Sequence, residues 1–217
     1  MATLSGSGKI PFSFVHYVWR MFAYVFRRVL LLWLIAGLAG CASAPERIND
    51  ICAVFDQNDG FFNNWQRTAA DTERKYGIPV PVLMATIRKE SGFQSNARPR
   101  RDYYLGFIPG KRASSAYGYS QALDGTWAQY KAESGNFGAR RSNFEDAVDF
   151  VGWYHARTVA AFGLPPDDTT NLYLAYYAGW SGFKSGAWRG NASVQKYARD
   201  AAKMAAAYKG QLQGCGG

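Results

Sequence analysis

The chain has 217 residues, with 25 Lys and Arg against 16 Asp and Glu, three cysteines and two histidines, for a formal charge of +9. This length allows one domain with a sizeable core, and the few scattered His and Cys exclude a credible metal-ligand set. The basic balance suits an anionic partner, or equally a solvated surface with no message.

The first forty residues read as an export signal. Arg27 and Arg28 precede the apolar run Val29–Leu38. That run is about ten residues, the length of a signal-peptide core and too short to span a bilayer of roughly 30 Å. Leu38-Ala39-Gly40-Cys41 follows and resembles the lipobox at which lipoprotein precursors are cleaved. The resemblance implies that Cys41 is the lipidation site and the new N-terminus. Ala42, in place of an Asp, implies transfer to the outer membrane, with the protein lipid-anchored on its periplasmic face. Met21 begins an ordinary signal of its own, so residues 1–20 are expected to be an extension before the true start. An uncleaved anchor is the competing reading of the same run.

Residues 1–40 carry four Lys and Arg and no acid, leaving +5 on residues 41–217. Two cysteines remain there, Cys52 and Cys215, near opposite ends. In an oxidising compartment an even pair suggests a disulfide; two free thiols in frayed termini are the alternative. Residues 41–60 are expected to be a tether and 61–217 a single folded domain.

Phe61 to Tyr76 carries aromatic or apolar residues at broadly helical spacing and is stopped by Gly77. A second helix is expected from Pro79 to Gly92, with proline in its first turn. Ser95 to Arg112 is punctuated by Pro99, Gly106, Pro109 and Gly110 and reads as loop. It holds five cations (Arg98, Arg100, Arg101, Lys111 and Arg112) against Asp102, suited to an anionic group or simply solvated. Tyr117 to Ala122 alternates enough for a short strand. Asp124 is placed to cap a short helix through Tyr130. Ser142 and Glu145 form a capping box before a long helix ending near Gly163. Pro165-Pro166 breaks the chain. Asp168 to Thr170 offer caps for a helix through Tyr177, closed by Gly179. Asn191 to Leu212 reads as the last helix. The predicted class is mostly α, or α+β with a minor β element.

Glu90 is the candidate for chemistry. Leu83, Ile87 and Glu90 share one face of the second helix, so a carboxylate prolongs a stripe that should face the core. It also sits at the helix C-terminus, where the dipole disfavours negative charge. Both effects raise a carboxyl pKa, as a general acid requires. A surface Glu, or one paired with Arg88, is the plain alternative.

Three short motifs extend this reading. Ala85 to Phe93 (ATIRKESGF) resembles the acid-bearing helix of the soluble lytic transglycosylase family, which has a goose-type lysozyme-like fold. Ser115 to Ala122 (SAYGYSQA), followed by Gly125-Thr126-Trp127, resembles its Gly-x-x-Gln segment. Ala175 to Gly179 (AYYAG) resembles its Ala-Tyr-Asn-Ala-Gly segment. The three occur in the family's order. The resemblance implies that Glu90 is the catalytic acid. It also implies substrate contacts from Ser91 at the helix end, Gln121 near the acetamido group and Tyr176 on the Glu90 carboxyl or substrate. Tyr119, with Tyr103, Tyr104, Trp180 and Trp188, is a candidate platform for sugar rings. Ser120 and Tyr177 depart from the family's Met and Asn.

Most glycosidases use two carboxylates. Only Glu90 falls in the matching motifs, and Asp124, the nearest other acid, reads as a cap. The resemblance accounts for a single acid. In that family Glu90's counterpart protonates the glycosidic oxygen, and the sugar's own 6-hydroxyl closes a 1,6-anhydro ring. The implied partners are peptidoglycan glycan strands and a bilayer reached through Cys41, with no cofactor and no nucleic acid. A hydrolytic muramidase and a non-catalytic glycan-binding lipoprotein are the competing functions. Gly118 to Ala122 superficially resembles a serine nucleophile elbow, but the one histidine after residue 41, His155, lies mid-helix.

Overall fold

Five of the seven α-helices described below open where a side-chain oxygen meets their first amides. The computed structural model describes Tyr24, Phe26 and residues 44–60, 63–104 and 108–215. The chain divides into two units, Met1–Ala42 and Ser43–Gly217, and all elements named below belong to the second. The signal sequence, Met21, Cys41 and Ala42 lie outside the described residues.

Asp50 accepts from the Ala53 amide at 3.1 Å and opens α1, Ile51–Gln57. Ile51, Val54 and Phe55 on this helix are buried. The span expected to be a tether therefore joins the core from residue 51, because those three side chains fall at helical spacing on one face. Asp59–Gly60 (β1) pairs with Asn63–Asn64 (β2). Asn64 then caps α2, Trp65–Tyr76, by accepting from Arg67. That cap sets the helix start four residues later than the apolar pattern indicated. Gly77 closes it at φ +70°.

Helix α3 spans Val80–Ser91, with Pro81 in its first turn. Arg101–Tyr104 (β3) and Ile108–Arg112 (β4) form an antiparallel hairpin with a register irregularity between Arg101 and Tyr103. This stretch was expected to be loop. Pro109 is tolerated because both strands of a two-stranded hairpin are edges. Helix α4 is Asp124–Ser134, with Asp124 inside the first turn and not at the cap. Helix α5, Phe144–Phe162, is capped by Asn143 accepting from Asp146 at 3.0 Å, one residue after the expected Ser142. Asp168 caps α6, Thr169–Ser185, and Asn191 caps α7, Ala192–Leu212. Tyr117 and Ala122 form one isolated antiparallel bridge instead of a strand.

The result is a mostly α fold built around α3. Val82 to Ile87 are all buried, and the helix packs along α7 and against α5. Gly152 on α5 permits close approach to α2: a Cβ there would meet the Thr72 methyl at 2.5 Å. A second aromatic layer forms where Trp65 stacks on Phe144 at 3.9 Å and Tyr119 meets both rings edge-on. Cys52 and Cys215 are joined in a disulfide, with Cα atoms 5.3 Å apart. Beside it, Gln211 accepts from the Ile51 amide at 2.9 Å and donates to the Asn49 carbonyl at 3.1 Å. The start of this unit is thereby fixed to its last helix.

Candidate active site

The last turn of α3 presents Glu90. Gly92 (φ +59°) caps the helix, its amide bonding the Arg88 carbonyl, and Phe93 follows at φ +64°. Two successive left-handed residues turn the chain sharply away and leave the Glu90 side chain at the helix end. Phe93 can hold that conformation because it is wholly buried against Trp65.

The Glu90 carboxyl is largely withdrawn from water. Its Oε1 is buried and has no hydrogen-bond partner. Burial raises its pKa to about 7, against the smaller opposing effects of a Tyr173 hydroxyl donor and the Lys89 charge. No carboxylate among the described residues acts on it. Asp124, the other acid near the motifs, is exposed and paired with Arg141 at 2.7 Å. The site thus holds one carboxyl, poised to keep its proton near neutral pH.

Helix α6 contributes two tyrosines, Tyr173 buried and Tyr176 half-buried. Tyr173 faces the Glu90 carboxyl, and burial together with that negative neighbour holds its hydroxyl protonated. Tyr176 lies close enough for Glu90 to raise its pKa too, but its hydroxyl donates to the Ser120 carbonyl at 2.5 Å. The hydroxyl expected on Glu90 therefore ties the third motif to the second. Tyr173, three residues earlier, is buried and also feels the Glu90 charge. The spacing Tyr173-x-x-Tyr176 on one helix was the available signal.

The second motif is a rigid turn. Gly118 sits at φ +74°, and a Cβ there would lie 2.0 Å from the Arg141 carbonyl oxygen, so only glycine fits. Gln121 adopts φ +50° and spends its amide on the Ala97 and Gly118 carbonyls at 2.9 and 2.7 Å. Arg141 donates to Ser115 and Ala122 carbonyls from behind. In the third motif, Gly179 at φ +71°, ψ 161° interrupts α6 in a region essentially reserved for glycine.

One turn back from Glu90, Thr86 donates to the Val82 carbonyl and lies 3.0 Å from Nε2 of buried His155. Burial lowers the His155 pKa to about 3, so the imidazole is neutral and packs behind the acid helix. Ser120 Oγ is buried without a partner and is no activated nucleophile.

A family model described as the transglycosylase SLT domain matches residues 29–215. The chain belongs to this family. No curated protein matches it. Its mostly helical architecture agrees with the lysozyme-like SLT domain, and membership makes it a transglycosylase-type enzyme acting on peptidoglycan.

Within this SLT domain several expected substrate contacts have structural roles. Tyr119 is 2% exposed, wedged against Trp65 and Phe144, and offers no face to a sugar. Ser91 is buried and its hydroxyl donates back to the Ile87 carbonyl at 3.2 Å, which reinforces the helix end. Gln121 clamps its own turn, and Tyr176 is held on Ser120 as described. Ser91, Gln121 and Tyr176 thus each donate to a backbone carbonyl, while Tyr119 belongs to the core. Trp180 stacks on Tyr154 at 4.9 Å and donates to Thr158, and Trp188 stacks on Phe183. Tyr103 and Tyr104 fall on β3. Among the described residues no His, Cys, Asp or Glu cluster has metal-binding geometry.

Proposed function

We propose that this protein is a lytic transglycosylase that cleaves the β-1,4 bond between N-acetylmuramic acid and N-acetylglucosamine and leaves 1,6-anhydro ends. The observation that carries the reading is the Glu90 carboxyl, its Oε1 buried, with no second carboxylate among the described residues acting on it. A two-acid site would place a nucleophile or base roughly 5–9.5 Å from the acid. Here one group serves twice. Glu90 protonates the glycosidic oxygen as its bond to C1 breaks. The 2-acetamido group of the muramic acid stabilises the developing charge. The ionised Glu90 then accepts the proton of the same sugar's 6-hydroxyl as its oxygen bonds to C1. The acid is restored and no water enters.

Mass spectrometry of digested sacculi tests this directly. Anhydro ends from the wild type, and their loss in Glu90→Gln, are expected. The swap removes the transferable proton with little change in volume, and a loss of at least about a hundredfold is anticipated. Reducing ends would mean hydrolysis, and an unchanged sacculus would mean a binding module.

The same reading places the protein as a lipoprotein anchored through Cys41 to the periplasmic face of the outer membrane. What supports this is the Arg-Arg, apolar core and Leu-Ala-Gly-Cys order. Glu46 is already held, its amide donating to the Gln57 side chain at 3.1 Å. A chain anchored at Cys41 would thus have five residues of free reach, about 18 Å at roughly 3.5 Å per residue. Radiolabelled palmitate should enter the wild-type chain, and incorporation that survives Cys41→Ala would refute the anchor.

A further inference from the structure

Two exposed tyrosines stand beside Lys89, the sequence neighbour of the acid, and take no part in the chemistry above. Tyr177 is 53% exposed and Tyr197 43%, yet their rings lie 6.3 Å apart at 41°. Their position follows from the helices. Tyr173 and Tyr177 are four residues apart on α6 and share a face. Tyr173 is buried on Glu90; Tyr177, one turn or roughly 5.4 Å further along, emerges at the surface. Tyr197 comes from α7 on the other side. Lys89, the neighbour of Glu90 in sequence, sets its Nζ 4.6 Å over the Tyr197 ring. The same ammonium pairs with Asp200 at 3.5 Å, and Asp200 is held by Lys196 at 2.7 Å.

The rings are therefore positioned by the residues that surround the acid, and neither is packed into the core. Half-exposed rings, one of them backed by the Lys89 ammonium, with a rim of charged hydrogen-bonding groups suit a ligand with apolar C–H faces and many hydroxyls. A pyranose has that chemistry. We propose that Tyr177 and Tyr197 form a stacking subsite for a sugar ring of the glycan strand adjacent to the bond that Glu90 attacks. The proposal rests on the reading of Glu90 as an acid acting on glycan. Lys89 links the two, since it touches the Tyr197 ring and its charge reaches the carboxyl.

Binding is measured with the full chain carrying Glu90→Gln, which separates affinity from turnover. The probes are N-acetylglucosamine tetramer and amidase-released, uncrosslinked glycan strands, followed by calorimetry. Tyr177→Ala and Tyr197→Ala are each expected to weaken binding about five- to tenfold, and Tyr177→Phe and Tyr197→Phe to stay within about twofold. Circular dichroism and melting should be unchanged, because both side chains are exposed. Undiminished affinity in the alanine variants would overturn the subsite. So would equal loss in the phenylalanine variants, or no binding of either probe by the Glu90→Gln chain. If the wild type leaves sacculi uncut while tyrosine-dependent binding persists, the subsite stands and the catalytic reading falls. If sacculi are cut but binding ignores the tyrosines, the reverse holds.

Discussion

The site's acid is held at a cost to the fold, and Glu90→Gln should reveal it. An unfolded Glu ionises near 4.5, while in the fold burial raises it to about 7. The native state therefore binds more protons than the unfolded chain between those two values. By linkage, stability is fully present below about 4.5 and declines as pH rises through 7. At about 1.4 kcal/mol per pH unit, the loss above pH 8 is on the order of 3 kcal/mol. Gln cannot ionise, so the variant escapes this decline. For a domain of this size, roughly 2–4 °C per kcal/mol gives a melting temperature about 6–12 °C above wild type at pH 8–9. Near pH 4.5 the gap should close. Thermal and urea unfolding of both chains across pH 4.5 to 9 provides the comparison. Parallel profiles would refute the claim that Glu90 is desolvated in the fold, whatever the enzyme assay gives.

Activity on sacculi should fall as pH rises through about 7, where Glu90 loses the proton it must donate. Tyr173→Phe removes a donor that favours the ionised carboxyl, so this alkaline limb should move to higher pH; a limb that stays or moves down counts against the contact. Gly118→Ala should destabilise by at least about 2–3 kcal/mol in urea titration, since the left-handed φ and the Arg141 carbonyl 2.0 Å from the new Cβ both oppose it. The Cys52–Cys215 bridge spans 163 residues, so reduction or Cys215→Ser should cost about 2–5 kcal/mol; an unchanged urea midpoint would show that the bridge adds nothing.

The sequence alone determined the helical class, most helix ends and the single acid. These are local properties. Asn191, Asp168 and Gly77 act within a turn of themselves, and Glu90 on an apolar face at a helix C-terminus announces its own desolvation. The glycines of the second and third motifs were legible as positions, but their reasons were tertiary. Gly118 is required by the Arg141 carbonyl 23 residues away. Only the packed structure decided which neighbours serve the acid. Tyr176, Tyr119, Gln121 and Ser91 all lie in the motifs, yet each side chain goes to a backbone carbonyl or the core. Tyr173, outside the motifs, is the buried tyrosine whose hydroxyl acts on the Glu90 pKa, and which face of a tyrosine-rich helix is buried is a tertiary matter. Within the basic stretch, residues 101–104 and 108–112 pair as a hairpin that the punctuating Pro109 and Gly110 had masked. Whether a carboxyl near a helix end is solvated or buried depends on what folds over it, and that is a property of the packed helices and not of its neighbours in sequence.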